Sequence, residues 1–160
     1  MNTAFLLLGS NLGNPKSNID KALKMIEDEV GKIKKRSSLY KTAPWGFEHK
    51  NYFLNQVVII ETKKSPQQLL SEILRIEKDL GRVRNTNEIE ARTLDIDILF
   101  FNSEIINETN LIIPHPRLHL RKFTLIPLSE IGAGFIHPTF NKTIKMLLEE
   151  CGDKLNVEKN

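Results

Sequence analysis

Two aspartates, Asp95 and Asp97, stand two residues apart in the run 94–101, where they alternate with Leu94, Ile96, Ile98 and Phe100. Alternate side chains of a strand share a face, so both carboxylates project together with Leu99, within reach of shared hard cations, while the other face is apolar. Two like charges this close repel or raise each other's pKa, and oxygen-preferring Mg²⁺ relieves the conflict. The bland alternative is a solvated strand face; the apolar opposite face marks the strand as half-buried and favours metal.

Seven of the 23 basic residues are arginine, and five of those (Arg82, Arg84, Arg92, Arg117, Arg121) fall between positions 82 and 121. The guanidinium grips phosphate in a planar two-pronged fashion. Arg82, Arg84 and Arg92 bracket the polar stretch 81–93 just before the aspartates; Arg117 and Arg121 follow them, with His115. Each arginine alone reads as a surface charge. Together, beside metal-binding carboxylates, they describe a polyphosphate site. Flat apolar surfaces for an acceptor are available in Trp45, Phe47, Tyr52, Phe53 and Phe123, with Asn55 as an amide that both donates and accepts; spacing alone does not separate pocket aromatics from core.

Other motifs fail. The stretch 9–15, Gly-Ser-Asn-Leu-Gly-Asn-Pro, has neither P-loop nor dinucleotide-binding spacing, so its glycines are expected to serve a turn. The histidines 49, 115, 119 and 137 are too scattered for zinc, and Cys151 sits in a helical pattern without a nucleophile's context.

The elements that must position these groups follow from periodicity. Residues 3–8 predict a buried strand. A helix follows through Ile19, Ala22, Leu23, Ile26 and Val30, ending at Gly31. Residues 32–42 are expected to be extended, 43–51 a loop, and 52–62 a Val- and Ile-rich strand. Ser65, Pro66 and Gln68 open a second helix that Gly81 closes. The stretch 81–93 is expected to be a loop and the candidate lid. After the aspartate strand come two short apolar runs, an irregular proline-rich segment at 113–117, and helices at 123–131, interrupted at Pro127, and 143–151. The order strand, helix, strand, strand, helix, strand is that of a ferredoxin-like βαββαβ α+β sandwich with a C-terminal extension of short strands and helices.

At 160 residues the chain has the length of one domain, expected to span 1–160. A net charge of +3 argues against wholesale nucleic-acid or membrane binding. Residues 4–8 lack a basic flank and are too short for a signal core, and a lone cysteine forms no internal disulfide; a cytoplasmic location is expected.

Six blocks carry a family resemblance: GSNLGN at 9–14, SSLYKTAPWG at 37–46, YFLNQVV at 52–58, EKDLGRVR at 77–84, RTLDIDILF at 92–100 and PHPRLHLRKFTLIPLSEI at 114–131. Their order and content resemble 6-hydroxymethyl-7,8-dihydropterin pyrophosphokinases, enzymes of folate biosynthesis that move the diphosphate of ATP to a pterin alcohol and release AMP. The resemblance implies that Asp95 and Asp97 bind two Mg²⁺ on the ATP phosphates and that Arg82 and Arg92 clamp the transferring group. It assigns Arg84, His115, Arg121, Glu77 and Ile98 to ATP, the last through its backbone. Phe53 and Phe123 would sandwich the pterin, Asn55 and the backbone of Thr42 and Ala43 would read its edge, and Trp45 would line the pocket. Ile89-Glu90-Ala91 departs from the aromatic-Gly-Pro common before the arginine at 92, and Phe53 stands where tyrosine is common. The expected partners are the two small substrates, with neither nucleic acid nor membrane, and the oligomeric state is left open. An RNA-binding ferredoxin-like module is the competing reading, but its central strand would place Asp95 and Asp97 against phosphate. An inactive pterin- or nucleotide-binding relative is the third.

Overall fold

The structure is a computed structural model that describes residues 1–42, 52–81 and 94–160. Its first strand, β1 (Asn2–Ser10), is buried on both faces from Ala4 onward, because it lies inside a sheet covered on both sides. The chain continues through α1 (Pro15–Glu29), β2 (Lys32–Arg36), β3 (Tyr40–Thr42), β4 (Phe53–Thr62), α2 (Pro66–Asp79) and β5 (Asp95–Phe101). A hairpin, β6 (Ile106–Glu108) and β7 (Leu111–Ile113), leads to a short 3-10 turn at Leu118–Leu120. Then come α3 (Lys122–Gly132), α4 (Ile144–Glu150) and β8 (Val157–Lys159).

Among the described residues the main sheet has six strands, ordered β5-β1-β4-β3-β8, with β2 also paired to β4. Every pairing is antiparallel. This is the ferredoxin-like βαββαβ arrangement expected from the sequence, with the C-terminal segment added at one edge.

Local signals place the helices. Asn14 caps α1, its side chain accepting the Ser17 N–H at 3.1 Å. At α2 the full capping box forms: Ser65 Oγ accepts from the Gln68 N–H at 3.2 Å, and Gln68 Oε1 accepts from the Ser65 N–H at 2.9 Å. Gly81 follows with φ +106°, as a glycine terminator should.

Three expectations need correction. The extended run 32–42 is two strands, broken where the Ser37 side chain substitutes for ladder backbone: its Oγ accepts the Val57 N–H at 3.0 Å while its own N–H donates to the Val57 carbonyl at 2.8 Å. Helix α3 runs through Pro127 without interruption. The lost N–H is offset by packing, since Thr124, Leu125, Pro127 and Leu128 are all buried. The alternation of β5 also breaks. Leu6 faces Ile98 but Phe5 faces Phe100, so Leu99 is a bulged extra residue and Phe100 turns away from the Ile96–Ile98 face.

The sheet therefore separates two cores. On one face Ala4, Leu6, Leu8, Ile96 and Ile98 pack with the apolar sides of α1 and α2. On the other, Phe5, Leu7, Val57, Leu99 and Phe100 pack with Leu118, α3 and α4.

Candidate active site

The second face is apolar only along part of its length. In antiparallel pairs directly opposite residues share a face, so register tells which side chains stand together. Gly9 lies opposite Asn55 on one side and Asp95 on the other; Leu7 lies opposite Val57 and Asp97. Asn55 in turn faces Tyr40, and Phe53 faces Thr42. One row across four strands, Tyr40-Asn55-Gly9-Asp95, together with the rung on each side of it, thus presents Thr42, Phe53, Asn55, Asp95 and Asp97 toward one end of the α3-covered face.

Gly9 makes the row possible. A Cβ built on it would come within 2.7 Å of Asn55 Oδ1, closer than real Cβ atoms approach. The missing side chain lets the buried Asn55 amide lie against the Gly9 backbone, on the row that carries Asp95. Gly9 is therefore not the turn residue expected; Gly13, with φ +62°, is.

Beneath the aspartates, Glu77 of α2 is only 4% exposed, and its Oε2 accepts the Ile96 N–H at 2.8 Å. This hydrogen bond holds the backbone between Asp95 and Asp97. The Ile98 side chain points into the α1/α2 core, so no side-chain contact of Ile98 reaches the α3-covered face.

The N-terminal end of α3 forms the other wall. Phe123 packs on the second core, and the Arg121 guanidinium lies 5.5 Å from its ring centroid, a cation–π contact. Arg121 is also the N-cap residue of α3, with no side-chain cap bond. His115 approaches β5 from the same side. Its N–H donates to the carbonyl of the bulged Leu99 at 3.0 Å, and its Nδ1 accepts the Arg117 N–H at 3.1 Å. Burial, reinforced by Arg121 and Arg117, lowers the His115 pKa to about 4, so the ring is neutral at pH 7 and its Nε2–H is a donor.

On the opposite wall Phe53 is 43% exposed, available to a ligand rather than spent in the core. Thr42 is buried, and its Oγ1 has no hydrogen-bond partner among the described residues. Sequence reasoning missed what ties the two walls together: Glu130 of α3 accepts from Tyr40 Oη at 2.6 Å, from Ser38 Oγ at 3.0 Å and from the Ser38 N–H at 3.0 Å. Burial pushes the Glu130 carboxyl up, but these hydrogen bonds, with Lys159 nearby, outweigh it and hold the group below the usual carboxylate range. The tyrosine responds oppositely: burial and Glu130 push its pKa up to about 12.

Ala43, Trp45, Arg82, Arg84 and Arg92 lie outside the described residues. His137 braces a turn: its Nδ1 accepts the N–H groups of Thr139 and Phe140. Among the described residues no group of three or more acidic, histidine or cysteine side chains converges as a protein-only metal cage.

A ferredoxin-like sandwich with paired carboxylates, a buried amide and an aromatic-bearing helix at one end of its sheet defines the class of protein. The chain belongs within it to the 7,8-dihydro-6-hydroxymethylpterin-pyrophosphokinase (HPPK) family, whose model matches residues 5–133. It is 41% identical over 145 residues to the 2-amino-4-hydroxy-6-hydroxymethyldihydropteridine pyrophosphokinase of Aquifex aeolicus, covering 91% of this chain and 89% of that one. The Haemophilus influenzae protein of the same name is 39% identical over 100% of this chain and 99% of its own length. Among solved structures, an HPPK-DHPS in complex with substrates superposes with TM-score 0.75 at 19% identity, covering 93% of this chain. This likeness shows the fold. The chain spans 43% of that longer polypeptide.

Proposed function

We propose that this chain transfers the diphosphate of ATP to the hydroxymethyl group of 6-hydroxymethyl-7,8-dihydropterin, a pyrophosphokinase step of folate biosynthesis, and does so at the α3-covered end of its sheet. The observation that carries the reading is the meeting of Asp95, Gly9 and Asn55 on one row of one face, with Asp97 on the adjacent rung opposite Leu7, in a chain that belongs to the family. In the reaction the hydroxymethyl oxygen bonds to the β-phosphorus, the bond from that phosphorus to the α-phosphate oxygen breaks, and AMP leaves. No protein nucleophile is needed; positioning and neutralisation of phosphate charge supply the catalysis.

Asp95 and Asp97 suit Mg²⁺. Two carboxylates side by side on one strand match an ion that prefers oxygen and takes its remaining ligands from water and substrate phosphates. They would hold two such ions, which supply Lewis-acid neutralisation of the phosphate oxygens. Glu77, placed with ATP by resemblance, serves this reading by fixing the backbone that carries both carboxylates. Neutral His115 offers its Nε2–H, and Arg121 its guanidinium, to phosphate oxygens; Arg84 and the main chain of Ile98 complete the ATP contacts. Arg82 and Arg92 clamp the transferring group.

The acceptor ring is placed between Phe53 and Phe123, with Trp45 along the pocket. A pterin edge alternates donors and acceptors, which a primary amide reads on both sides, so Asn55 is assigned that role with Thr42 and Ala43. We assign the whole of 1–160 to this one activity, with ATP and the pterin as partners, neither nucleic acid nor membrane, and the cytoplasm as its location. Among the described residues no helix is long and apolar enough to cross a membrane.

The test is AMP release from ATP and Mg²⁺ with and without the pterin alcohol. Pterin-dependent AMP is expected, and EDTA should suppress it. Absence of pterin-dependent AMP with either Mg²⁺ or Mn²⁺ would refute the assignment.

A further inference from the structure

The family match ends at residue 133, yet a segment twenty residues further on reaches both walls of the site. Helix α3 begins after Arg121, whose side chain is donor-only and cannot cap. The missing acceptor comes from Asp153: its Oδ2 accepts the Lys122 N–H at 3.0 Å, one residue before Phe123. A carboxylate there also complements the helix dipole. The second oxygen is used as well. Asp153 Oδ1 accepts the Leu155 N–H at 3.0 Å, turning the chain into β8.

Strand β8 then pairs with the opposite wall. Val157 lies opposite Thr42, Glu158 opposite Lys41 and Lys159 opposite Tyr40, and the Asn160 N–H donates to the Leu39 carbonyl at 2.8 Å. One carboxylate therefore joins the start of α3 to a strand that braces β3. At the far end of α3, Glu130 makes the second tie to the same region through Ser38 and Tyr40.

We infer that residues 153–160 form a strap that holds the two walls of the acceptor slot at their working separation, with the Asp153 carboxylate as its positioning residue. The inference rests on the reading that the pterin binds between Phe53 and Phe123. A ring held between two flat faces is sensitive to their separation, because dispersion falls away over fractions of an ångström. The strap touches no reacting atom; it acts through Phe123 and Thr42.

Calorimetry of 6-hydroxymethylpterin binding, with a non-transferable ATP analogue at saturation and the analogue's own affinity measured separately, tests this on the full chain. Asp153→Ala should weaken pterin binding about fivefold, the size of a lost cap. Asp153→Asn, which keeps one acceptor oxygen instead of two, should fall between Asp153→Ala and the wild type. Glu158→Pro, at an exposed site in β8, should weaken pterin binding similarly while changing analogue affinity less than about twofold, since a proline disturbs only the ladder to β3. Phe123→Ala is the reference. If it weakens pterin binding and the strap variants do not, the strap is wrong and the slot stands. If Phe123→Ala itself has no effect, the slot reading fails and takes the strap with it. Equal loss of pterin and analogue affinity in Glu158→Pro, accompanied by a falling Tm, would show general loosening and overturn the inference.

Discussion

The two faces of the sheet use the same strands differently. Toward α1 and α2, β1 presents Ala4, Leu6 and Leu8, and Leu6, Leu8, Ile60 and Ile73 have almost no exposed surface. Toward α3 the same strands begin apolar, at Phe5, Val57 and Phe100, and end at Gly9, Asn55 and Asp95. Apart from Glu77, which reaches the aspartate strand, the α1/α2 face is spent on stability. The other gives up about half its length to polar groups that contribute little to packing, and it can do so because the first face carries the fold.

Substitutions should separate the faces cleanly. Asp97→Ala should abolish turnover, by on the order of a thousandfold or more, while shifting Tm by no more than a few degrees. Steady-state AMP release and a thermal melt on one preparation check both halves. Leu6→Ala on the opposite face should do the reverse. It deletes a fully buried side chain and should cost about 3 kcal/mol in urea unfolding, with activity per folded molecule unchanged.

Acid should act on the α3 side first. Burial, with the neighbouring His119, lowers the His137 pKa to about 4, as burial and two arginines do for His115. Each is protonated more readily unfolded, near pH 6.5, than folded, so the neutral-ring stabilisation is complete above pH 6.5 and is lost as pH falls toward 4. Unfolding free energy should drop through that window. His137→Asn, which keeps an acceptor for Thr139 and Phe140, should remove roughly half of the slope. An unchanged slope would place the titration elsewhere.

The subtlest probe is Gly9→Ala. The added methyl meets Asn55 Oδ1, so the KM for the pterin should rise about tenfold while that for ATP changes little and Tm moves by a degree or two. A KM change shared equally by both substrates would mean that the Asn55 amide serves ATP as well.

What was legible in the sequence divides along the same line. The ends of α2 could be read because Ser65, Gln68 and Gly81 act within a few residues of where they stand. The aspartate pair could be read because a period of two is local. The bulge at Leu99 could not: it exists only through the pairing of β5 with a strand ninety residues earlier, and it moves Phe100 to the face opposite its periodicity. Gly9 was hidden for the same reason, since its meaning lies in Asn55 across the ladder. Glu77, Glu130 and Asp153 look like ordinary surface acids in one dimension. Their work is to accept backbone N–H and hydroxyl groups from distant segments, and no local spacing announces a partner that far away.

The bulge also decides where the chain tolerates changes of length. One residue inserted or deleted between Asp97 and Leu99 would rotate either the carboxylates into the α1/α2 core or the phenylalanines out of theirs, because a strand offers only two sides. The neighbouring hairpin, with Ile105 and Ile112 already open to solvent, carries no such constraint. Natural length variation in relatives should therefore collect around 102–110 and be absent from 95–101, and an aligned set of their sequences can be read for that pattern directly.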